Sequence, residues 1–103
     1  MYRFTTPTLP ITIEDVDFGN VSKFRIAIEQ NDKEIYLFIV DVNDPIVDAE
    51  NNKIYLELTQ EQTASLKEGY AKLQIRFVFT TGKVLATPEA TVTINDVIDE
   101  VIV

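Results

Sequence analysis

The chain has 103 residues, a formal net charge of −8, and no Cys, His or Trp. This length predicts a single domain, and the missing residue types exclude a disulfide framework, a zinc finger, a thiol nucleophile and imidazole-based catalysis. An acidic chain is repelled by nucleic acid and by anionic membrane surfaces, so we expect no nucleic acid and no membrane among its partners. The three glycines are isolated and leave no glycine-rich phosphate loop, and we expect no cofactor.

The basic residues are dispersed along the sequence. Lys23 and Arg25 form one pair and Lys72 and Arg76 another, which falls short of the roughly five to eight clustered cations of a phosphate-binding patch. Residues 1–13 contain one cation, two prolines and no continuous apolar run. We therefore expect no signal peptide, no transmembrane segment and synthesis in the bacterial cytoplasm.

The first half of the chain predicts three strands. Residues 1–13 begin with Thr and Pro and end in apolar residues, which favours an edge strand. Residues 21–29 alternate between apolar and polar, which is typical of a half-buried strand. Residues 35–42 are apolar almost without interruption, which predicts a central strand, paired with the preceding strand across a turn at 31–33.

The second half begins with another alternating strand at 54–58. Thr59 is followed three positions later by Gln62, a capping-box signature that predicts the start of a helix of one to two turns. Gly69 stands where a C-terminal glycine would end such a helix.

The longest alternation, at 70–79, predicts a strand with one apolar face. The expected inward residues are Ala71, Leu73, Ile75, Phe77 and Phe79. After a Thr-Gly-Lys turn, 84–94 predicts one further strand, in which Pro88 indicates an edge position or a bulge.

About seven short strands and one short helix predict an all-β fold, an antiparallel immunoglobulin-like β-sandwich, with a small β-barrel as the alternative. Residues 1–103 form one domain, with an extended N-terminal arm at 1–10 and an apolar-acidic C-terminal tail at 95–103. Tyr70 is either a tyrosine corner or a plain exposed strand residue.

The acidic string from Asp41 to Glu50 is a candidate cation site. Its alternating carboxylate and amide oxygens suit calcium, and the string is similar to the calcium-binding linker of cadherins. EF-hand spacing is absent, however, and Asn, Asp and Pro are ordinary turn residues. A plain acidic turn is therefore the favoured interpretation, and calcium binding is the alternative.

Two pools of carboxylates could in principle supply general acid–base catalysis, at 14–17 and 96–100. Both lie in segments predicted as loop or tail, where nothing sets a defined separation across a cleft. We therefore predict no catalytic residues and no enzyme activity.

The tail is the candidate partner interface. Val97, Ile98, Val101 and Ile102 recur at helical spacing among acidic residues. Such a stripe either packs on its own sandwich or contacts another subunit, because chain termini are usually polar unless something holds them. The extended arm could likewise add a strand to a neighbour's sheet edge.

Several strings together resemble a known group of proteins. They are Thr5-Thr6-Pro7-Thr8, Leu58-Thr59-Gln60-Glu61-Gln62-Thr63, Gln74-Ile75-Arg76, Thr81-Gly82-Lys83, Ala86-Thr87 and Asp96-Val97. In these strings and their order the chain resembles short structural proteins of the tail or baseplate region of phages and prophages of Gram-positive bacteria.

The resemblance implies a non-enzymatic virion part, similar to the immunoglobulin-like N-terminal domain of baseplate upper proteins. Its partners would be other tail or baseplate subunits or further copies of itself. The long acidic segment 41–52 departs from the shorter turn expected there. The alternative function is a stand-alone β-sandwich module that binds carbohydrate or calcium through Tyr36, Tyr55 and the Asp41 to Glu50 loop.

Overall fold

The computed structural model describes all 103 residues and contains two antiparallel sheets. The strands are β1 (Thr8–Thr12), β2 (Val21–Gln30), β3 (Lys33–Asp41), β4 (Val47–Asp48), β5 (Lys53–Glu57), β6 (Gly69–Phe79), β7 (Val84–Ala86) and β8 (Ala90–Ile94), with a 3₁₀-helix at Phe18–Asn20 and α1 at Gln60–Ser65. The smaller sheet has the strand order β1-β5-β4, and the larger has the order β3-β2-β6-β7 with β8 also paired to β6. The chain is thus an all-β sandwich, as predicted, and not the alternative barrel.

The β2–β3 hairpin forms because its turn tolerates left-handed backbone. Asn31 and Asp32 have φ values of 55° and 62°. Positive φ at both central residues matches the right-handed twist of the flanking strands, and Asn and Asp adopt it more readily than most residues. The predicted hairpin is therefore confirmed.

The core lies between the two sheets. On β6, the inward set predicted from alternation is buried from Ala71 to Phe77, and Phe79 is half-buried. The complete cluster is Ile13, Phe18, Val21, Phe24, Ile26, Ile28, Val40, Ile54, Leu56, Leu58, Leu66, Ala71, Leu73, Ile75, Phe77 and Ile94. Because its members come from both sheets, burial of this one cluster holds the sandwich together.

The capping box of α1 is present as predicted. The Thr59 hydroxyl accepts the N–H of Gln62 at 3.2 Å, and the Gln62 side chain accepts the N–H of Thr59 at 2.9 Å. The helix ends earlier than predicted, with Leu66 as its C-cap, and Gly69 is instead the first residue of β6.

A buried glutamine fixes the connection between α1 and β6. The Gln30 side chain donates to the carbonyl of Lys67 at 2.7 Å and accepts the N–H of Lys67 at 2.8 Å. Both polar atoms of the buried amide are thus satisfied, which removes the cost of burying them.

The prediction that 35–42 is a central strand is wrong. β3 pairs only with β2 and lies at the edge of the larger sheet. Tyr36 and Val40 face the core, while Leu37 and Ile39 on the other face are exposed, Ile39 by 60%. A continuous apolar run usually indicates burial on both faces, and here one of the two faces meets solvent.

The single strand predicted at 84–94 is divided into β7 and β8 around Pro88. The interruption is tied to β6 by Thr87, whose N–H donates to the carbonyl of Ile75 at 2.8 Å and whose hydroxyl accepts the N–H of Ile75 at 3.1 Å. Because β7 and β8 pair only with β6, Pro88 lies at the edge of the larger sheet, which is one of the two positions predicted for it. Tyr70, which is 71% exposed, is a plain strand residue and makes no tyrosine corner.

The segment before β1 is tied to the body of the protein, and 8–10 of the expected arm belong to the edge strand β1. The Thr63 hydroxyl accepts the N–H of Thr5 at 3.1 Å and donates to its carbonyl at 2.8 Å. None of the helices has the length and apolarity that crossing a membrane requires.

Candidate protein-interaction site

The tail, 95–103, runs without helical structure along the side of the molecule that carries α1. Asn95 forms a parallel β-bridge with Tyr2, and the backbone bends at Ile98. The other tail residues belong to no helix or strand. The helical spacing of its apolar residues therefore does not produce a helix. Isolated helices of this length are marginal in water, and the polar groups of the tail bind partners elsewhere in the chain.

Arg3 is the main anchor of the tail. One guanidinium nitrogen, Nη1, contacts Asp96 at 2.6 Å and Glu100 at 3.0 Å. The other two nitrogens donate to the C-terminal end of α1, Nε to the carbonyl of Leu66 at 2.6 Å and Nη2 to that of Ala64 at 2.8 Å. One side chain thus ties the tail to the helix.

These contacts shift the ionisation of both partners. The hydrogen bond from Arg3 lowers the pKa of Asp96 below its ordinary value. The hydrogen bond to Asp96, reinforced by the charges of Asp96 and Glu100, raises the pKa of Arg3. The anchor is therefore charged throughout the neutral range.

A second anchor lies at the far end of the tail. The Gln60 side chain donates to the carbonyl of Val103 at 2.7 Å and accepts its N–H at 2.9 Å. Because Asn95 is also bonded to Met1 and Arg3, both ends of the tail are fixed to its own chain.

Most of the predicted interface residues remain exposed when the tail is held in this way. Val97 is half-buried, Ile98 is fully exposed, Val101 is 58% exposed, and Ile102 is also exposed. The fold therefore holds the tail by its backbone and polar groups and leaves three of four apolar side chains in solvent.

The free edge of β3 is a second exposed apolar surface. The N–H of Val42 donates to the carbonyl of Ser22. Bonded and non-bonded residue pairs alternate along an antiparallel ladder, so the N–H and C=O groups of Leu37 and Ile39 point away from β2. These groups lie at the free edge of the sheet, which is open to another strand.

Aspartate side chains in the acidic loop accept hydrogen bonds from the backbone of the loop itself. Asp41 accepts the N–H of Asn43 at 2.8 Å, and Asp44 accepts that of Ile46 at 3.0 Å. These contacts are local turns of the kind that Asp side chains form, and the chain contains no group of three or more His, Cys, Asp or Glu residues placed to hold a metal ion.

The remaining candidate residues lie apart. Asp17 caps the 3₁₀-helix by accepting the N–H of Gly19 at 2.9 Å.

The two candidate tyrosines lie in different environments. Tyr36 faces the core side of β3, and its hydroxyl donates to the carbonyl of Gln62 at 3.2 Å. Tyr55 faces solvent from the smaller sheet. The two tyrosines therefore form no common binding platform.

The structure also brings together residues that are separated in the sequence. The two dispersed basic pairs, Lys23 with Arg25 and Lys72 with Arg76, lie on the outer face of the adjacent strands β2 and β6. Both pairs occupy polar positions of an alternating strand, so the sequence indicates that they face outward. It does not indicate that they lie next to each other, because that depends on the antiparallel register between β2 and β6.

No family model, curated protein or solved structure matches the chain.

Proposed function

We propose that this chain is a non-enzymatic structural or assembly component of a phage tail or baseplate that acts through protein–protein contacts. The observation that carries the proposal is the tail, whose backbone is anchored while Ile98, Val101 and Ile102 remain in solvent. Exposing apolar side chains on a fixed segment costs free energy unless a partner covers them.

Two further features support this function. The open edge of β3 can accept a strand from a neighbour, which is a common mode of assembly between β proteins. The sequence resemblance to phage tail and baseplate structural proteins supplies the biological setting, with the virion as the location and an immunoglobulin-like domain as the type of sandwich.

The solution mass of the full chain, measured by size-exclusion chromatography with light scattering, tests assembly through the tail. We expect a defined oligomer for the wild type and dissociation for the double variant Ile98→Ser/Ile102→Ser. The matched control is Tyr55→Ser, which removes another exposed apolar side chain on the smaller sheet. Equal masses for the wild type and the tail variant would contradict tail-mediated self-assembly.

The phage setting needs a separate experiment. In the bacterium that encodes the chain, prophage induction and mass spectrometry of gradient-purified particles should find the chain at a fixed ratio to other tail proteins. Its absence from assembled particles would reject a role as a virion part and leave that of an assembly factor.

A further inference from the structure

The outer face of the larger sheet holds two arginines side by side. Arg25 on β2 lies directly opposite Arg76 on β6 in the strand register. Directly opposed like charges destabilise a sheet. Neither guanidinium forms an ion pair, since the ion pairs of the chain involve only Arg3 and Lys72.

The surroundings of Arg25 leave its hydrogen-bonding capacity unused. Its Nε is buried and has no acceptor, which costs free energy in an isolated chain. A pocket of about 210 Å³ opens here, and although Glu29 and Glu34 line it, neither pairs with an arginine. Two unpaired guanidinium groups at one site suit an incoming carboxylate, which arginine binds through two parallel hydrogen bonds.

Apolar side chains flank the arginines across the sheet. Ile39 lies beside Arg25 on β3, and Ala86 lies beside Arg76 on β7. The exposed Leu37 is the next residue of β3 on the same face, two pairs along the register from Ile39. A surface that combines unpaired cations with exposed apolar side chains is complementary to a segment that combines carboxylates with apolar side chains.

This chain contains such a segment, Val97 to Ile102. Asp99 and Glu100 stand between its apolar residues, and Asp99 forms no ion pair within the chain. While the tail is bound at Asn95 and at Val103, it is not free to cross the outer face of its own sheet. A contact between the docked tail and this face therefore joins two molecules.

We propose that the outer sheet face around Arg25 and Arg76 is the docking surface for the tail of a second copy of this chain. The inference rests on the proposed function and adds the surface that receives the tail. Since face and tail are different surfaces, the contact is heterologous and generates a ring or a filament.

At about 0.15 M salt, charges more than roughly 8 Å apart are screened, which weakens the repulsion between acidic copies more than the attraction at contact.

A charge exchange within the full chain tests this contact. Sedimentation equilibrium at 0.15 M salt would compare the wild type with Arg76→Glu, Asp99→Lys, the combination of both, and the control Lys53→Glu on the smaller sheet. We expect each of the two single changes to raise the dissociation constant at least tenfold. The combined variant should recover most of the loss, and the control should stay within about twofold of the wild type.

The outcomes separate this inference from the proposed function. If Asp99→Lys dissociates the oligomer while Arg76→Glu behaves like the control, the tail contact stands and the docking surface proposed here is overturned. A combined variant weaker than either single change would also overturn it. A wild type that is monomeric at 0.5 mM would exclude a second copy as the occupant.

A labelled sample identifies the surface directly. A peptide of residues 96–103, added in excess to the ¹⁵N-labelled full chain, should shift the amide signals of Arg25, Leu37 and Arg76 and leave those of β5 unchanged. Shifts of the same signals with inorganic phosphate but not with the peptide would reject the tail as the ligand.

Discussion

Phe77 shows how a single residue on β6 contributes to stability. Its side chain is buried, and its ring meets that of Phe79 edge-on, with the centroids 5.6 Å apart. We expect Phe77→Ala to lower the free energy of unfolding by roughly 3 to 5 kcal/mol, since the change leaves a cavity in a packed core. Urea denaturation measures this, and Tyr70→Ala on the opposite face should change it by less than about 0.5 kcal/mol. A small loss for Phe77→Ala together with a large loss for Tyr70→Ala would mean that the faces of β6 are reversed.

Thr59 acts through one hydroxyl at the start of α1. We expect Thr59→Ala to cost about 1 kcal/mol, because the N–H of Gln62 loses its acceptor and the capping box is broken. Thr59→Ser keeps the oxygen and should be nearly neutral, so a loss of equal size in both variants would argue against the cap as the cause. Thermal unfolding followed by circular dichroism compares the two.

At the scale of elements, the features that depend on neighbouring residues could be predicted from the sequence. The faces of β2 and β6 follow from strict alternation, and the start of α1 follows from the spacing of Thr59 and Gln62. Each of these is fixed within a few residues of chain.

Features that depend on distant pairing could not be predicted in this way. The apolar run of β3 does not reveal that only one neighbour, β2, pairs with it. The proximity of Arg25 to Arg76 depends on the register between β2 and β6, and the course of the tail depends on bonds to Arg3 and Gln60. The composition of the candidate interface was visible in the sequence, whereas its geometry was set by tertiary contacts.

The attachment of the tail is an element-scale property that acid should weaken. The pKa of Asp96 is lowered in the folded chain by the hydrogen bond from Arg3. The docked tail therefore binds protons less readily than the released tail. The contribution of Asp96 to docking is fully present above the ordinary Asp pKa of about 3.9 and is lost as the pH falls through the lowered value.

Amide signals of 97–103, followed by NMR from pH 6 to pH 2, would detect this release. We expect them to move towards random-coil positions below about pH 4, before the core unfolds. Asp96→Asn should weaken the attachment of the tail at neutral pH and move the signals nearest residue 96 towards random-coil positions, whereas Asp99→Asn, which removes no ion pair, should leave the tail docked. A carboxyl of Asp96 that titrates at its ordinary pKa would contradict the anchor.

For the whole molecule, the decisive feature is that the two sheets share one core. Ile54 of the smaller sheet and Ile26 of the larger are both fully buried and belong to the same cluster. The smaller sheet has three short strands, one of only two residues, and has no separate core of its own. Neither sheet is therefore expected to persist once the other has opened.

This predicts two-state unfolding of the entire sandwich. In a urea titration followed by NMR, the signals of Ile54 and Ile26 should lose intensity at the same midpoint, as domains of this size usually do. Signals of the tail at Val101 should change earlier, because that segment is held by exposed polar contacts and can open locally. A lower midpoint for Ile54 would mean that the smaller sheet unfolds on its own. The sandwich would then consist of two cooperative units. Docking of the tail onto the outer sheet face around Arg25 and Arg76 of another copy would depend on the larger sheet alone.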